Sequence, residues 1–190
     1  MRVYLVYEVD SQPIKPFLSI ELIESIVQNQ INYMTQSVFL RRANTSWQMR
    51  LFLLWKLPGA WFMGIRVRSC DLEQCVAELP FGWRSQNPFR STYFAAQCAA
   101  GELSTGLLAL AHLQEKPPCS MLVTHIEADF YKKADQTLAF TCAEGNNFLA
   151  VLQKALESNE SQTYVATSVG TLPDGREAAR VRVTWSFKKK

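Results

Sequence analysis

With 190 residues, 48% of them hydrophobic and 19% charged, the chain suits one globular domain with its own core and is no low-complexity chain. A formal net charge of +3 carries no basic stripe or nucleic-acid motif, and Lys188-Lys189-Lys190 reads as a solvated end. The five cysteines (Cys70, Cys75, Cys98, Cys119, Cys142) lack CxxC spacing and there are only two histidines, so neither a metal nor a cofactor is expected. No pure apolar run approaches the roughly 20 residues of a membrane span. The opening MRVYLVYEVD is broken by Glu8 and Asp10, unlike a signal peptide, so a cytoplasmic location is the default expectation.

In chain order, Arg2 to Val9 alternates loosely, as a strand would. Phe17 to Ile31, after Pro16, places Ile20, Ile23, Ile26, Val27 and Ile31 near one helical face. Asn44-Thr45-Ser46 opens a second helix whose apolar face carries Trp47, Leu51, Leu54 and Trp55, and Pro58-Gly59 ends it. Covering a sheet edge is favoured for this face over lying on a membrane. Ala60 to Arg68 alternates, Cys70 to Glu73 turns, and Gln74 to Leu79 returns, which predicts a hairpin. Phe81 to Gln86 is a loop.

The chain is organised around the stretch from Asn87 to His112, NPFRSTYFAAQCAAGELSTGLLALAH. Ser91 or Thr92 is a candidate cap, since a short hydroxyl accepts a bond from an orphan amide. From Tyr93 to Ala111 nearly every residue is small or apolar, and Glu102 is the single acid. Apolar character on all sides predicts a helix that is wrapped, roughly 30 Å long. Its alanines and glycines keep it thin enough for a sheet to approach.

The second half is rich in strands. Ser120 to Tyr131 alternates, with Leu122, Thr124, Ile126, Ala128 and Phe130 on one side; after the turn Lys132 to Gln136, Thr137 to Ala143 is the return strand. Gly145 to Leu156 forms a short helix. Gln162 to Leu172 and Arg176 to Phe187 flank Pro173-Asp174-Gly175, where glycine supplies the positive φ of a tight turn. The order is a hairpin, a long apolar helix, then four strands in two hairpin-like pairs. This predicts an α+β protein whose antiparallel sheet curls around the helix.

In this layout the sequence resembles the hotdog-fold thioesterase superfamily. Its small acyl-CoA thioesterases carry N-x-x-G-x-x-H-G-G and then a helix with an Asp or Glu fifteen residues after the Asn. Asn87 and Glu102 have that spacing, and the strand, basic turn and strand from Thr124 to Phe140 look like the family's. The resemblance covers roughly residues 45 to 187; within it YFAAQCAAGELSTG is similar to a bacterial branch of hotdog proteins without assigned activity. It implies a hotdog fold, an antiparallel sheet wrapped around a long central helix, over 41–190, with 1–40 as an N-terminal extension. The departures are Arg90 at the Gly position, Tyr93 at the His position and Phe94-Ala95 at the Gly-Gly pair. Bulk at these places narrows or closes an acyl site.

The resemblance implies an acyl-CoA or acyl-carrier thioester as the partner, in a homodimer with a dimer of dimers as its larger form. Glu102 would be general base or nucleophile, and Asn87 would hold the water or the thioester carbonyl. The amide of Tyr93 or Phe94, at the positive end of the helix, would bind the oxyanion. Arg84, Arg90, Lys132 and Lys133 would meet CoA phosphates. Apolar surroundings would raise the pKa of Glu102. Glu102 lies about 15 Å beyond its own helix start, so the implied site pairs the acid of one subunit with the helix start of the other. A non-catalytic acyl-binding or scaffold protein is the first alternative, favoured by the missing His-Gly-Gly. A dehydratase-type hotdog enzyme ranks last, because no histidine lies between Asn87 and Glu102. Each residue also has a plainer reading: Asn87 bridging a turn, Glu102 a paired buried acid, Tyr93 core packing, and His112 a cation at the helix C-terminus.

Overall fold

The computed structural model describes residues 20–114, 116–158 and 160–190. The strand expected over Arg2 to Val9 lies outside them. Five helices and six strands are described: α1 Ile20–Asn44, α2 Ser46–Lys56, α3 Pro58–Phe62, β1 Arg66–Cys70, β2 Cys75–Leu79, α4 Phe94–Leu113, β3 Cys119–Phe130, β4 Leu138–Cys142, α5 Gly145–Glu157, β5 Gln162–Thr171 and β6 Glu177–Lys189. The strands form one antiparallel sheet in the order β1-β2-β4-β5-β6-β3.

The helix α4 packs across β2, β4, β5 and β6, and α5 lies against α4, β5 and β6. Two glycines let the sheet come close. A Cβ at Gly101 would stand 2.7 Å from Val181 Cβ, and one at Gly106 would stand 3.2 Å from the Trp185 ring. Polar positions on α4 are paired inward: Ser104 Oγ lies 2.7 Å from Ser168 Oγ, and the Trp185 indole donates to Thr105 Oγ1 at 3.1 Å. Such pairing removes the cost of burying hydroxyls in an apolar core. Phe140, Phe148, Phe187, Leu138, Val181 and Val183 fill the space around it. Among the described residues α4 is the one helix long and apolar enough to cross a membrane, yet 67% of it is buried inside the protein.

Several local expectations need correction. Residues 60–62 belong to α3, because Pro58 opens a new helical turn, so β1 begins only at Arg66. The strand β4 does not return along β3. It pairs with β2 and β5, while among the described residues β3 pairs only with β6 and forms one edge of the sheet, β1 forming the other. A bulge between Val123 and His125 breaks the alternation of β3, so Leu122, opposite Ser186, lies on the other face from Ile126 and Phe130, opposite Val183 and Ala179; all three are exposed.

The helix α2 buries the opposite face from the one expected. Met49 and Leu53 are buried, whereas Trp47, Leu51, Leu54 and Trp55 are exposed. Both arcs are apolar, and the β1 edge takes the one with the slimmer side chains. The end of α1 is pinned to the sheet, since the Asn44 amide bonds both the carbonyl and the N–H of Cys70, at 2.7 and 2.8 Å. Thr45 precedes α2 but its hydroxyl turns back to the Arg41 carbonyl, so it caps nothing.

Candidate functional site

The start of α4 is assembled by backbone bonds from two loops. Thr92 N–H and Oγ1 both donate to the Ala134 carbonyl, at 2.6 and 2.9 Å, and Tyr93 N–H donates to the Ser85 carbonyl at 2.7 Å. Neither Ser91 nor Thr92 caps the helix: Tyr93 stands at the cap position and no side chain bonds the free amides. The Thr92 hydroxyl is spent on holding the 132–136 turn instead. That bond brings the backbone of Lys132 and Lys133 beside the helix start, and the Tyr93–Ser85 bond brings that of Arg84. Arg90 sits two residues before Thr92. Lys132, Lys133 and Arg90 are exposed and Arg84 is half-buried.

Asn87 does bridge a turn. Its Oδ1 accepts from Phe89 N–H at 2.9 Å and from the N–H and hydroxyl of Ser91, each at 3.2 Å. Its Nδ2 makes no bond among the described residues, so one donor stays available while the oxygen fixes the side chain. Inside this turn Arg90 has φ 57°, a left-handed conformation that favours glycine. Arginine thus stands at the position where the resemblance has glycine, in a backbone conformation that glycine favours.

The two amides proposed for the oxyanion part company. Tyr93 N–H is consumed by Ser85. Phe94 N–H is the first amide of α4 and has no partner among the described residues, as the geometry of a helix start dictates. The rings of Tyr93 and Phe94 meet edge-on, 4.8 Å apart, and Phe94 meets Phe130 of β3 at 6.5 Å. This aromatic cluster stands where the hotdog pattern has His-Gly-Gly, and its rings are exposed.

Glu102 lies eight residues beyond Phe94, about 12 Å along the helix. The structure does not bring it to Asn87 or Phe94 of the same chain. It sits on the half-buried stripe Ala95, Cys98, Ala99, Glu102. A Cβ at Gly106 would stand 3.5 Å from Glu102 Oε1 and 3.2 Å from Trp185, so carboxylate and indole share the space over Gly106. No hydrogen bond or ion pair reaches this carboxylate among the described residues, and burial pushes its pKa above the usual carboxylate range.

Gln97 escaped the sequence reading. It is buried beside the helix start, its Nε2 donates to the Thr92 carbonyl at 3.1 Å, and its Oε1 accepts nothing. Its signal was the lone amide in a run of alanines and apolar residues. His112 is also corrected: it is buried, its Nε2 lies 2.9 Å from the Leu72 carbonyl, and burial lowers its pKa, helped by Lys116 and opposed by the Leu72 bond. It is therefore a neutral donor rather than a cation on the helix dipole. Among the described residues no group of three or more His, Cys, Asp or Glu is arranged to hold a metal ion.

The model of a family described as "Domain of unknown function (DUF4442)" matches residues 45–186. No curated protein sequence matches the chain. Solved structures share its fold. A protein of unknown function from Pseudomonas aeruginosa, described as a probable thioesterase, superposes with a TM-score of 0.64 at 14% identity, over 75% of this chain and 95% of that one. A protein of unknown function from Chlorobaculum tepidum gives 0.64 at 16% identity, over 78% and 99%. A thioesterase from Haemophilus influenzae gives 0.55 at 12% identity, over 76% and 91%. The architecture, one antiparallel sheet around a long helix, is the hotdog fold.

Proposed function

Because the chain belongs to the DUF4442 family, whose domain has no assigned function, and has a hotdog fold shared with thioesterases, we propose that it hydrolyses acyl-CoA or acyl-carrier thioesters as a homodimer. One observation carries the proposal: Glu102 is an unpaired carboxylate on an apolar helix, with burial raising its pKa. Leaving such a group without a partner costs stability, which is expected where chemistry needs a base rather than where a fold needs a brace.

Thioester hydrolysis needs a base for water, donors for the oxyanion and room for the acyl chain. Glu102 takes the proton of the attacking water. Phe94 N–H, at the positive end of α4, receives the charge that develops on the carbonyl oxygen. Asn87 Nδ2 orients the water or the carbonyl. Since Glu102 is about 12 Å from Phe94 along one helix, the acid acts at the helix start of the other subunit. The exposed edge strand β3 supports such pairing: an edge left bare invites a second strand, and Leu122, Ile126 and Phe130 are solvent-facing in the single chain. Arg84, Arg90, Lys132 and Lys133 around the helix start meet the CoA phosphates.

A second reading has its own observation. Tyr93, Phe94 and Phe130 crowd the helix start, and an aromatic cover there suits an acyl-binding protein without turnover. A hydrolysis screen over acyl-CoA chain lengths, with Glu102→Gln as control, separates the two. Turnover that falls by about 100-fold or more in the variant supports the base. Full turnover in the variant contradicts it, and bound acyl ligand without turnover favours the second reading.

A further inference from the structure

Acidic residues are missing from a long stretch of the chain. Between Glu24 and Asp71 there is none, while Arg41, Arg42, Arg50, Lys56, Arg66 and Arg68 all lie there. The rest of the chain holds 14 basic and 17 acidic residues and so carries −3. The net positive charge is therefore a property of the α1–α2–β1 region, not of the whole molecule. Among the described residues none of these six cations makes an ion pair.

The same region carries two of the three tryptophans exposed among the described residues. On α2, Trp47 is 63% exposed, Leu51 57% and Trp55 81%, with Leu54 beside them. At about 100° per residue these four fall within an arc of roughly 100°, opposite Met49 and Leu53 on the core side. Packed against α2, α3 adds exposed Phe62, whose ring meets Trp83 edge-on at 5.9 Å. On the flank of the arc, Arg50 joins Arg66 and Arg68 around a cavity of about 240 Å³ between α2 and β1, with Glu78 as its one acid.

From this arrangement we propose that the α2–α3 face docks on an anionic lipid bilayer, with Trp47, Leu51 and Trp55 entering the interface and Arg50, Arg66 and Arg68 taking a phosphate-bearing headgroup. Tryptophan suits the boundary between headgroups and acyl chains, since it is apolar in body and polar at one edge. A helix lying in that plane has an apolar arc and a basic flank, which is the order found here. A second copy of the chain is a poorer occupant, because two surfaces of net positive charge repel each other; a bilayer rich in phosphate attracts them. The inference does not depend on thioester chemistry.

Sedimentation of the full chain with vesicles tests it. Binding is expected to vesicles of phosphatidylcholine with phosphatidylglycerol, weakly or not at all to phosphatidylcholine alone, and less at high salt. Trp47→Ser with Trp55→Ser should abolish binding. Arg50→Gln with Arg66→Gln should weaken it about thirtyfold, at about fivefold per charge. Val165→Ser, at an exposed site on β5, should leave it unchanged. Because the tryptophans and Arg66 are exposed, a matching melting profile shows that each variant is folded. No binding by the wild-type chain, equal binding by the variants, or binding indifferent to lipid charge overturns the proposal. So does a tryptophan pair whose removal changes the oligomeric state but not vesicle binding, which would make the face an interface between copies.

Discussion

Two apolar helices of this chain meet opposite fates. The helix α4 buries 13 of its 20 residues, whereas α2 buries only Met49 and Leu53 of its 11. The helix α4 is the more apolar of the two, and side-chain size and neighbours widen the difference. Alanine, glycine and serine alternate with leucine on α4, so a sheet can close around it at van der Waals distance. The bulk of α2 is tryptophan, phenylalanine and leucine on several sides, and one sheet edge can cover only one arc of it. Each helix also has one anomaly among the described residues: α4 an acid without a partner in an apolar place, α2 an apolar arc beside cations without ion pairs.

The contrast breaks most visibly in stability. Leu108→Ala on α4 should cost about 3 kcal/mol, since it empties a fully buried site. Leu51→Ala on α2 should stay within about 0.5 kcal/mol. Urea midpoints for the pair check this, and equal losses would mean that α2 is covered in solution.

Gly101→Ala is the next test. Alanine favours a helix by about 1 kcal/mol, but Val181 atoms at 2.7 to 3.0 Å from the new Cβ must move. Packing wins, for a net loss of about 1 kcal/mol in chemical denaturation. The equivalent change in an exposed helix would be stabilising.

Glu102→Gln should instead stabilise the fold at pH 7 by on the order of 1 kcal/mol. The folded-state pKa of Glu102 is raised, so its ionisation penalises the fold increasingly as pH climbs through that value. Below about pH 4, where the unfolded carboxyl is also protonated, wild type and variant should converge. The smallest effect belongs to His112. Its folded pKa is lowered, so its contribution is present above the unfolded value near pH 6.5 and is lost as pH falls through the folded one. His112→Gln should flatten that acid limb of the stability profile by less than about 1 kcal/mol.

Local chemistry made much of the fold readable beforehand. The small and apolar run after Tyr93, with Glu102 as its single acid, announced a wrapped helix, and Pro173-Asp174-Gly175 announced the β5–β6 hairpin. What failed was non-local. The partner of β4 is chosen by the whole sheet, so adjacency in sequence misled. The buried face of α2 was ambiguous because both arcs are apolar, and only the β1 edge selects between them. At the helix start, the residue types named Tyr93 and Phe94 equally, but a carbonyl from Ser85 takes one amide and leaves the other. Thr92 looked like a cap until Ala134, more than forty positions away, claimed its hydroxyl. Gln97 passed unnoticed because an amide in a helix is ordinary until its burial is known.

Glu102 of one subunit is proposed to work at the Phe94 amide of another, and mixing two variant subunits puts that pairing to the test. Phe94→Pro removes that amide at a helix position where proline is well tolerated, after a Tyr93 backbone already extended at φ −62°, ψ 133°. Glu102→Gln removes the acid. Each variant alone should be nearly inactive on acyl-CoA. After subunit exchange at equal amounts, half the dimers carry one intact composite site, and about a quarter of the wild-type rate should return. Two inactive variants that never rescue each other, or a wild-type chain that hydrolyses no thioester, would contradict the claim.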